Sequence, residues 1–360
     1  MRIGTVCYCT DQGLGMLAKS FYDAGVMTEV AIFSHPKRGV NHHDWFPGAP
    51  VIGTRDLTNR DEVKDMISKV DVMLFFETPF DWSLLPYCRE HGVKTVIVPM
   101  YEWTPRTPPF LPDKWICPSL LDQQYFPTHP FLPIPVDPST WKLRTKAERY
   151  LHNAGHIGWR EHKGTIEVLK AVKYIKSDLR LTIRGQDAHE LEKLIRQHAP
   201  DIRRDSRVTV VYGNLPYATL FDDFDVYVAP EKFNGLSLPI QEARAAGLLV
   251  MTSDRFPHNS WLPGEVEVPA GPKVNDGSGW TMQACQFLNP LVPVASYSKQ
   301  CISRNYNSFE EAKIEPEAVA AKMDEWFGLN IESYSLTGKS WAEANSWTVL
   351  KDKWLDELAA

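Results

Sequence analysis

Residues able to do chemistry gather where short apolar runs give way to loops that open a helix. At 225–254 the chain reads DVYVAPEKFNGLSLPIQEARAAGLLVMTSD: an apolar run ends at Pro230, and Asn234, Gly235, Leu236 and Ser237 follow. A helix is expected to begin there, with Pro239 in its first turn and Gly247 at its end. The free N–H groups and positive dipole end of such a start suit a phosphate. Glu242, one turn into the helix, is in reach of a hydroxyl of the same ligand. Gly13-x-Gly15 lies between a first strand and a first helix, where doubly wound folds approach a phosphate; a tight turn explains it equally. Glu77 and Glu102 follow apolar runs, so each is placed to serve as acid, base, hydroxyl ligand or loop cap. The loop at 35–45 collects Lys37, Arg38, His42, His43 and Trp45, and reads either as a grip for an anionic or polymeric substrate or as solvated surface. Adjacent His42 and His43 point apart, so a shared metal is not expected.

The elements that must position these residues alternate. Strands are expected at 2–8, 30–34, 70–76, 95–99 and 115–119, with helices at 16–24, 60–68 and 84–91. A second series has strands at 148–154, 179–184, 207–212, 226–229 and 248–251, with helices at 165–174, 188–198 and 217–223. Such alternation predicts an α/β fold with parallel sheets. Pro127, Pro130, Pro133, Pro135 and Pro138 stiffen the segment between the two series, which places a boundary near 140. The expected domains are 1–140, 141–338 and a last helical piece, 339–360. In the final helix Trp347 and Trp354 share a face, and Trp341 sits about a third of a turn away. Residues 262–310, rich in Pro, Gly and Asn, read as an elaborated loop region.

Composition sets the outer limits. A chain of 360 residues is long for one α/β core and comfortable for two. A hydrophobic content of 43% and a charged content of 23% are those of a globular protein. No apolar run approaches the roughly 20 residues of a spanning helix, and the opening MRIGTVCYCT reads as a strand instead of a signal peptide. The net charge of −6 argues against unspecific nucleic-acid binding over the whole surface. Six scattered cysteines without a Cys-x-x-Cys pair are expected to be buried thiols in a reducing, cytoplasmic setting.

The stretch from Asn234 onward resembles the nucleotide-sugar site of retaining glycosyltransferases with the two-domain GT-B fold (glycosyl transferases group 1, family-4-like). Their pattern Glu-Gly-Phe-Gly-Leu-Pro-x-x-Glu falls on Asn234-Gly235-Leu236-Ser237-Leu238-Pro239-Ile240-Gln241-Glu242, followed by Ala243, Ala245-Ala246-Gly247 and Ser253-Asp254. The first Gly, the Leu-Pro pair and the second Glu match; Asn234, Leu236 and Ser237 depart. The resemblance implies two Rossmann-like α/β/α domains facing a cleft, with the donor on the second and the acceptor on the first. The C-terminal helix would return to the first domain. It implies ribose binding by Glu242 and a sugar contact at Asn234, and it leaves the sugar open because Asn replaces Glu. Arg160 and Lys163-Gly164 are similar in type to the family's Arg and Lys-Gly that neutralise the donor diphosphate, at a shorter spacing. With them, the amides of 235–237 would stabilise the leaving group without a metal. Arg184, at a strand end, is a lesser donor-binding candidate, and the loop at 212–214 would hold the base, uracil or guanine in the expected UDP- or GDP-sugar. Glu77 stands near the family's usual His, and Gly13 and Gly15 would touch the donor phosphate or the acceptor. The acceptor is a hydroxyl of a glycan or a protein, or of a modified (hydroxymethylated) DNA base, since the stretch at 256–263 is similar to some bacteriophage-encoded members. An epimerase or a non-catalytic nucleotide-sugar-binding module on the same fold are the alternatives.

Overall fold

The computed structural model describes residues 1–34, 42–156, 161–214, 219–262, 266–269 and 285–360. They form two compact units: residues 1–135, 300–309 and 347–360 make unit 1, and residues 136–299 and 310–346 make unit 2. The change of unit thus falls between Pro135 and Val136, at the end of the proline-rich segment.

Unit 1 contains β1 (Ile3–Cys7), α1 (Gly13–Asp23), β2 (Glu29–Phe33), β3 (Val51–Ile52), α2 (Asp61–Ile67), β4 (Val72–Glu77), α3 (Leu84–Glu90), β5 (Lys94–Pro99), β6 (Lys114–Trp115) and α4 (Leu120–Tyr125). The six strands are ordered β3-β2-β1-β4-β5-β6 and run parallel. The chain reverses its direction of travel across the sheet between β1 and β4, and the crevice outside the carboxyl ends of those two strands is where such sheets bind ligands.

Unit 2 repeats the plan with β7 (Arg149–Gly155), α5 (Thr165–Ala171), β8 (Arg180–Gly185), α6 (Ala188–His198), β9 (Val208–Tyr212), β10 (Val226–Ala229), α7 (Leu238–Ala245) and β11 (Leu249–Thr252). Its parallel sheet is ordered β11-β10-β7-β8-β9, with the reversal between β7 and β10. Both faces are buried, as the residues of β10 show. Val226 and Val228 enter one apolar cluster with Tyr150, Leu181 and Trp326, while Tyr227 and Ala229 enter another with Leu151, Ile240 and Val250. Alternation of side chains along a strand that has helices on both sides requires this near-continuous apolar run.

The region read from sequence as an elaborated loop contains two small two-stranded sheets. One pairs β12 (Val266–Pro269) with β13 (Cys285–Leu288), and the other pairs β14 (Ser296–Cys301) with β15 (Ser308–Lys313). The strand expected at 115–119 shrinks to β6, because Ser119 instead caps α4, its hydroxyl accepting from the Asp122 amide. The helix expected at 217–223 lies partly outside the described residues, and 219–223 are in turns.

The C-terminal end is α8 (Pro316–Trp326), α9 (Glu332–Ala344) and α10 (Trp347–Ala359), so the single last helix of the sequence reading is two. The break has a local cause. The Asn345 side chain donates back to the Trp341 carbonyl at 2.9 Å, and the Asn345 carbonyl accepts from the Val136 amide instead of a later helical amide. Trp341 consequently belongs to unit 2, where the Arg244 guanidinium lies 4.5 Å from the centre of its ring. Trp347 and Trp354 belong to unit 1, and both pack edge-on against Phe21 with ring centres 4.7 and 4.8 Å away. Trp354 is fully buried and donates to the Pro133 carbonyl. Trp354→Ala should therefore cost about 3–5 kcal/mol, the usual range for a large buried aromatic, and chemical denaturation will measure it.

Candidate active site

At the reversal point of unit 2, the loops that follow β7 and β10 meet. Gly164 makes the meeting possible. Its φ is +76°, and a Cβ there would stand 2.1 Å from the Pro230 carbonyl oxygen, so only glycine permits this approach. The neighbouring Lys163 folds its amine back over Gly155, whose own φ of +60° again favours glycine; a Cβ there would sit 2.4 Å from Nζ. Burial pulls the Lys163 ammonium below its usual range, and Glu231, Glu161 and Glu242 pull it back up. Arg160, its expected companion, lies outside the described residues.

Beneath this loop the polar groups are paired. The Glu161 carboxylate caps α5 by accepting from the Thr165 amide at 2.9 Å, and Lys232 bridges Glu161 and Glu167 at 2.9 and 3.2 Å. Buried His152 has Nδ1 2.7 Å from the Val228 carbonyl and Nε2 3.0 Å from the Thr165 hydroxyl. A carbonyl only accepts, so Nδ1 carries the proton and Nε2 accepts from the hydroxyl. Burial pushes His152 down to about 4, which keeps it neutral and structural.

The loop after β10 differs from the motif reading at three positions. Asn234 Oδ1 accepts from the amides of Leu236 and Ser237 at 3.1 and 2.9 Å. Those two amides are thus committed inside the loop and are not presented as an anion cradle. Asn is suited to this because its short side chain reaches its own backbone two and three residues on, whereas the longer Glu of the motif would overshoot. Ser237 turns inward, its hydroxyl donating to Glu231 Oε1 at 2.9 Å, and Leu236 is buried with its carbonyl held by the Gln241 side chain at 2.7 Å. Gly235 is buried in the same loop.

Glu242 follows in α7. Its side chain is half-buried and accepts no hydrogen bond from a described residue. Burial raises its carboxyl to about 7, against the opposing pull of Lys163. Arg184 is 4% exposed and donates to the Gly213 carbonyl at 3.3 Å. It braces the 212–214 loop from inside.

Glu231 and His258 were not picked out from the sequence. Both are buried, with His258 Nε2 3.0 Å from the Asn234 carbonyl and 3.6 Å from Glu231 Oε2. Their only legible signal is Glu231 in a stretch otherwise expected to be apolar or loop; His258 comes from the segment after β11 and meets the loop only in three dimensions.

In unit 1, the carboxyl ends of β1 and β4 carry the remaining candidates. Glu77 ends β4 at φ +65°, a non-glycine residue in the left-handed region. That strained conformation is of the kind that concentrates at ligand sites. Gly13 opens α1 with nothing near a would-be Cβ, but Gly15 is pressed on the Thr10 backbone, a Cβ there lying 2.2 Å from its carbonyl oxygen. Gly15 therefore serves a close turn, and Gly13 is the glycine left open to a ligand. The sequence reading also missed a pair at this edge: His42 Nε2 lies 2.7 Å from Asp11 Oδ1, with the imidazole stacked on Trp45 at 4.3 Å. A cavity of about 330 Å³ beside Tyr22, Glu29, Phe46 and Lys69 opens at the start of β2, the opposite end of the strands. Glu102 is buried, where it raises the neighbouring Asp122 carboxyl in addition to the larger effect of burial. Among the described residues no group of three or more His, Cys, Asp or Glu side chains is placed to hold a metal, and no helix is long and apolar enough to cross a membrane. Cys7, Cys9, Cys88 and Cys117 are buried thiols.

Comparison with known proteins follows from this geometry. Residues 148–266, which include β7 to α7 and the loop after β11, match the family model for glycosyl transferases group 1. No curated protein matches the sequence. Among solved structures, HepE of Anabaena in complex with UDP and glucose superposes with a TM-score of 0.63 at 11% identity, covering 100% of this chain and 99% of that one. A glycosyltransferase of Rickettsia africae gives 0.61 at 12% identity (99% and 97% covered). Sucrose-phosphate synthase of Thermosynechococcus elongatus gives 0.60 at 13% (100% and 99%). These likenesses establish the GT-B fold.

Two outcomes test the site. Gly164→Ala should lose more than about 2 kcal/mol of stability, since both its φ and its space exclude a side chain, as thermal unfolding will report. Glu242 has a folded-state value of about 7 against an ordinary 4.5, so the folded chain holds the proton longer than the unfolded one. Its contribution to stability is present at low pH and is lost as pH rises through about 7. Without ligand, the melting temperature should fall between about pH 5 and pH 8, and Glu242→Gln should flatten that fall.

Proposed function

We propose, from the premise that this chain is a glycosyltransferase whose residues 148–266 belong to glycosyl transferases group 1, that unit 2 binds a nucleoside-diphosphate sugar and transfers its sugar to a hydroxyl with retention of anomeric configuration. The observation that carries the reading is the arrangement at the reversal point of the second sheet, where Gly164 presses the Lys163 loop onto the Pro230 carbonyl and α7 carries the Glu242 carboxylate, which accepts no hydrogen bond from a described residue. A cation and an acceptor-only group are what a diphosphate and a ribose diol require.

In this reading Glu242 accepts from the ribose hydroxyls, and the 212–214 loop braced by Arg184 receives the base, uracil or guanine. Lys163, with Arg160 beside it in sequence, faces the diphosphate. As the bond from the anomeric carbon to the phosphate oxygen breaks, negative charge grows on the diphosphate, and a fixed ammonium stabilises that state more than the ground state. The acceptor oxygen bonds to the anomeric carbon from the same face, and its proton passes to the departing phosphate oxygen. The protein supplies charge and orientation, with no dedicated base in the second unit and no metal.

Asn234 shapes the loop through its own backbone, so the sugar is read by other groups than the motif's first carboxylate. Gly13 and Glu77 are assigned to ligand contact on unit 1. The deciding experiment is a panel of nucleotide sugars, with release of nucleoside diphosphate as readout and the product anomer read by NMR. Absence of turnover with every donor, with binding kept, identifies a binding module, and an inverted anomer removes the retaining assignment. Glu242→Ala should weaken nucleoside-diphosphate binding by roughly 10- to 100-fold in calorimetry, the scale of a lost charged hydrogen bond. Lys163→Ala should lower kcat by about 100-fold with a smaller change in affinity; equal changes in both would give it a ground-state role only.

A further inference from the structure

Glu231 lies under the loop that carries Asn234 to Ser237 and is 1% exposed. Its Oε1 accepts from the Ser237 hydroxyl at 2.9 Å, the Asn234 side chain also acts on the carboxylate, and its Oε2 is buried without a well-aligned donor. A carboxylate oxygen left in that state is costly unless a charge offsets it. His258 Nε2, 3.6 Å away, does not: its proton goes to the Asn234 carbonyl, and burial drives His258 far below its ordinary range, so it is neutral. Lys163 is the offsetting cation, because its loop lies against this one: the Lys232 amide donates to the His162 carbonyl at 2.7 Å, and Gly164 is pressed on the Pro230 carbonyl. After burial, Lys163 is the largest influence on the Glu231 carboxyl, and Glu231 is likewise the largest on the Lys163 ammonium. No ion pair within 4.0 Å joins the Lys163 ammonium to a described carboxylate, so Glu231 acts on it through space.

We propose that Glu231 is a positioning residue of the donor site, whose buried carboxylate holds the Ser237 hydroxyl and the Lys163 ammonium in place from beneath the loop. The proposal rests on the donor reading of unit 2 and adds an inner layer to it. Glu242 and Lys163 face the ligand, and Glu231 supports them from behind. The other groups acting on the pair are Glu161 and Glu242 on Lys163, and Asn234, Arg255, His258 and Tyr227 around Glu231. Burial opposes the charged form of Glu231, which sits at about 7. The pair is therefore poised, and small changes in either partner move the other. The loop is braced on its remaining sides by Gln241 and by His258, so the Glu231 carboxylate is the member of this framework that also carries charge.

The test reads Lys163 directly. Glu231→Gln keeps a hydrogen-bond acceptor for Ser237 and removes the charge, and Glu231→Asp keeps the charge and withdraws it by one methylene. Acylation of the Lys163 amine, followed by peptide mass spectrometry across pH, should show it several-fold more reactive near neutral pH in Glu231→Gln, because its ammonium is less well supported. Glu231→Asp should fall between, and it serves if the Gln variant does not fold. In turnover, Glu231→Gln should lower kcat about tenfold with a smaller change in donor KM, whereas Ser237→Ala should raise donor KM and leave the Lys163 titration where it was. An unmoved Lys163 titration in both Glu231 variants overturns the proposal, whatever happens to stability. A wild-type chain that binds no nucleoside diphosphate overturns the donor reading instead, and the Lys163 titration still decides whether Glu231 positions the amine.

Discussion

Everything at the second sheet's reversal point depends on one close approach, the Gly164 backbone against the Pro230 carbonyl. A side chain at Gly164 would overlap that oxygen at 2.1 Å. Packing at this distance brings the turn after β7 onto the turn after β10, and Lys163 follows because it is the adjacent residue. The carboxylates that face the amine come from two places, Glu161 within its own loop and Glu231 and Glu242 from the β10–α7 side. Separating the loops by the width of a methyl group would leave each of these charges with less to offset its burial.

Burial supplies the electrostatic character of the site. Glu231 and Glu242 are raised to about 7 chiefly by desolvation, and Lys163 is lowered by the same cause. These shifts oppose the charged forms, and the attraction between Lys163 and each carboxylate partly restores them. Among the described residues, the cation is not tied into a short ion pair with any one carboxylate. The surrounding groups are of a different kind. His152, the Glu161–Lys232–Glu167 network and Gln241 are paired, and they fix backbone in place.

Unit 1 has its most unusual backbone at a strand end. Glu77 holds φ +65° at the end of β4, next to the crevice that the order of the sheet creates. Gly15 is consumed by the turn onto Thr10, while Gly13 is left clear. The Asp11–His42 pair and its stacking on Trp45 add polar groups at the same strand ends. The aromatic face of α10 on Phe21 completes the core of this unit from the far end of the chain.

Alternating apolar runs and capped helices made the two parallel sheets readable before any coordinates, since β10 and its neighbours must be apolar on both faces to be buried between helices. Local patterns also identified the helix after Leu238, because its start and stop signals lie among its immediate neighbours. What the sequence could not decide is where side chains turn once distant segments pack. Asn234 resembled a ligand contact and instead closes its own loop; Ser237 and Arg184 point inward; Trp341 and Trp347 separate into different units because Asn345 gives its carbonyl to Val136. Glu231 and His258 meet only because the segment after β11 returns to the β10 loop. Those outcomes follow from the demand that every buried donor and acceptor find a partner, and tertiary contact alone determines which partner is within reach.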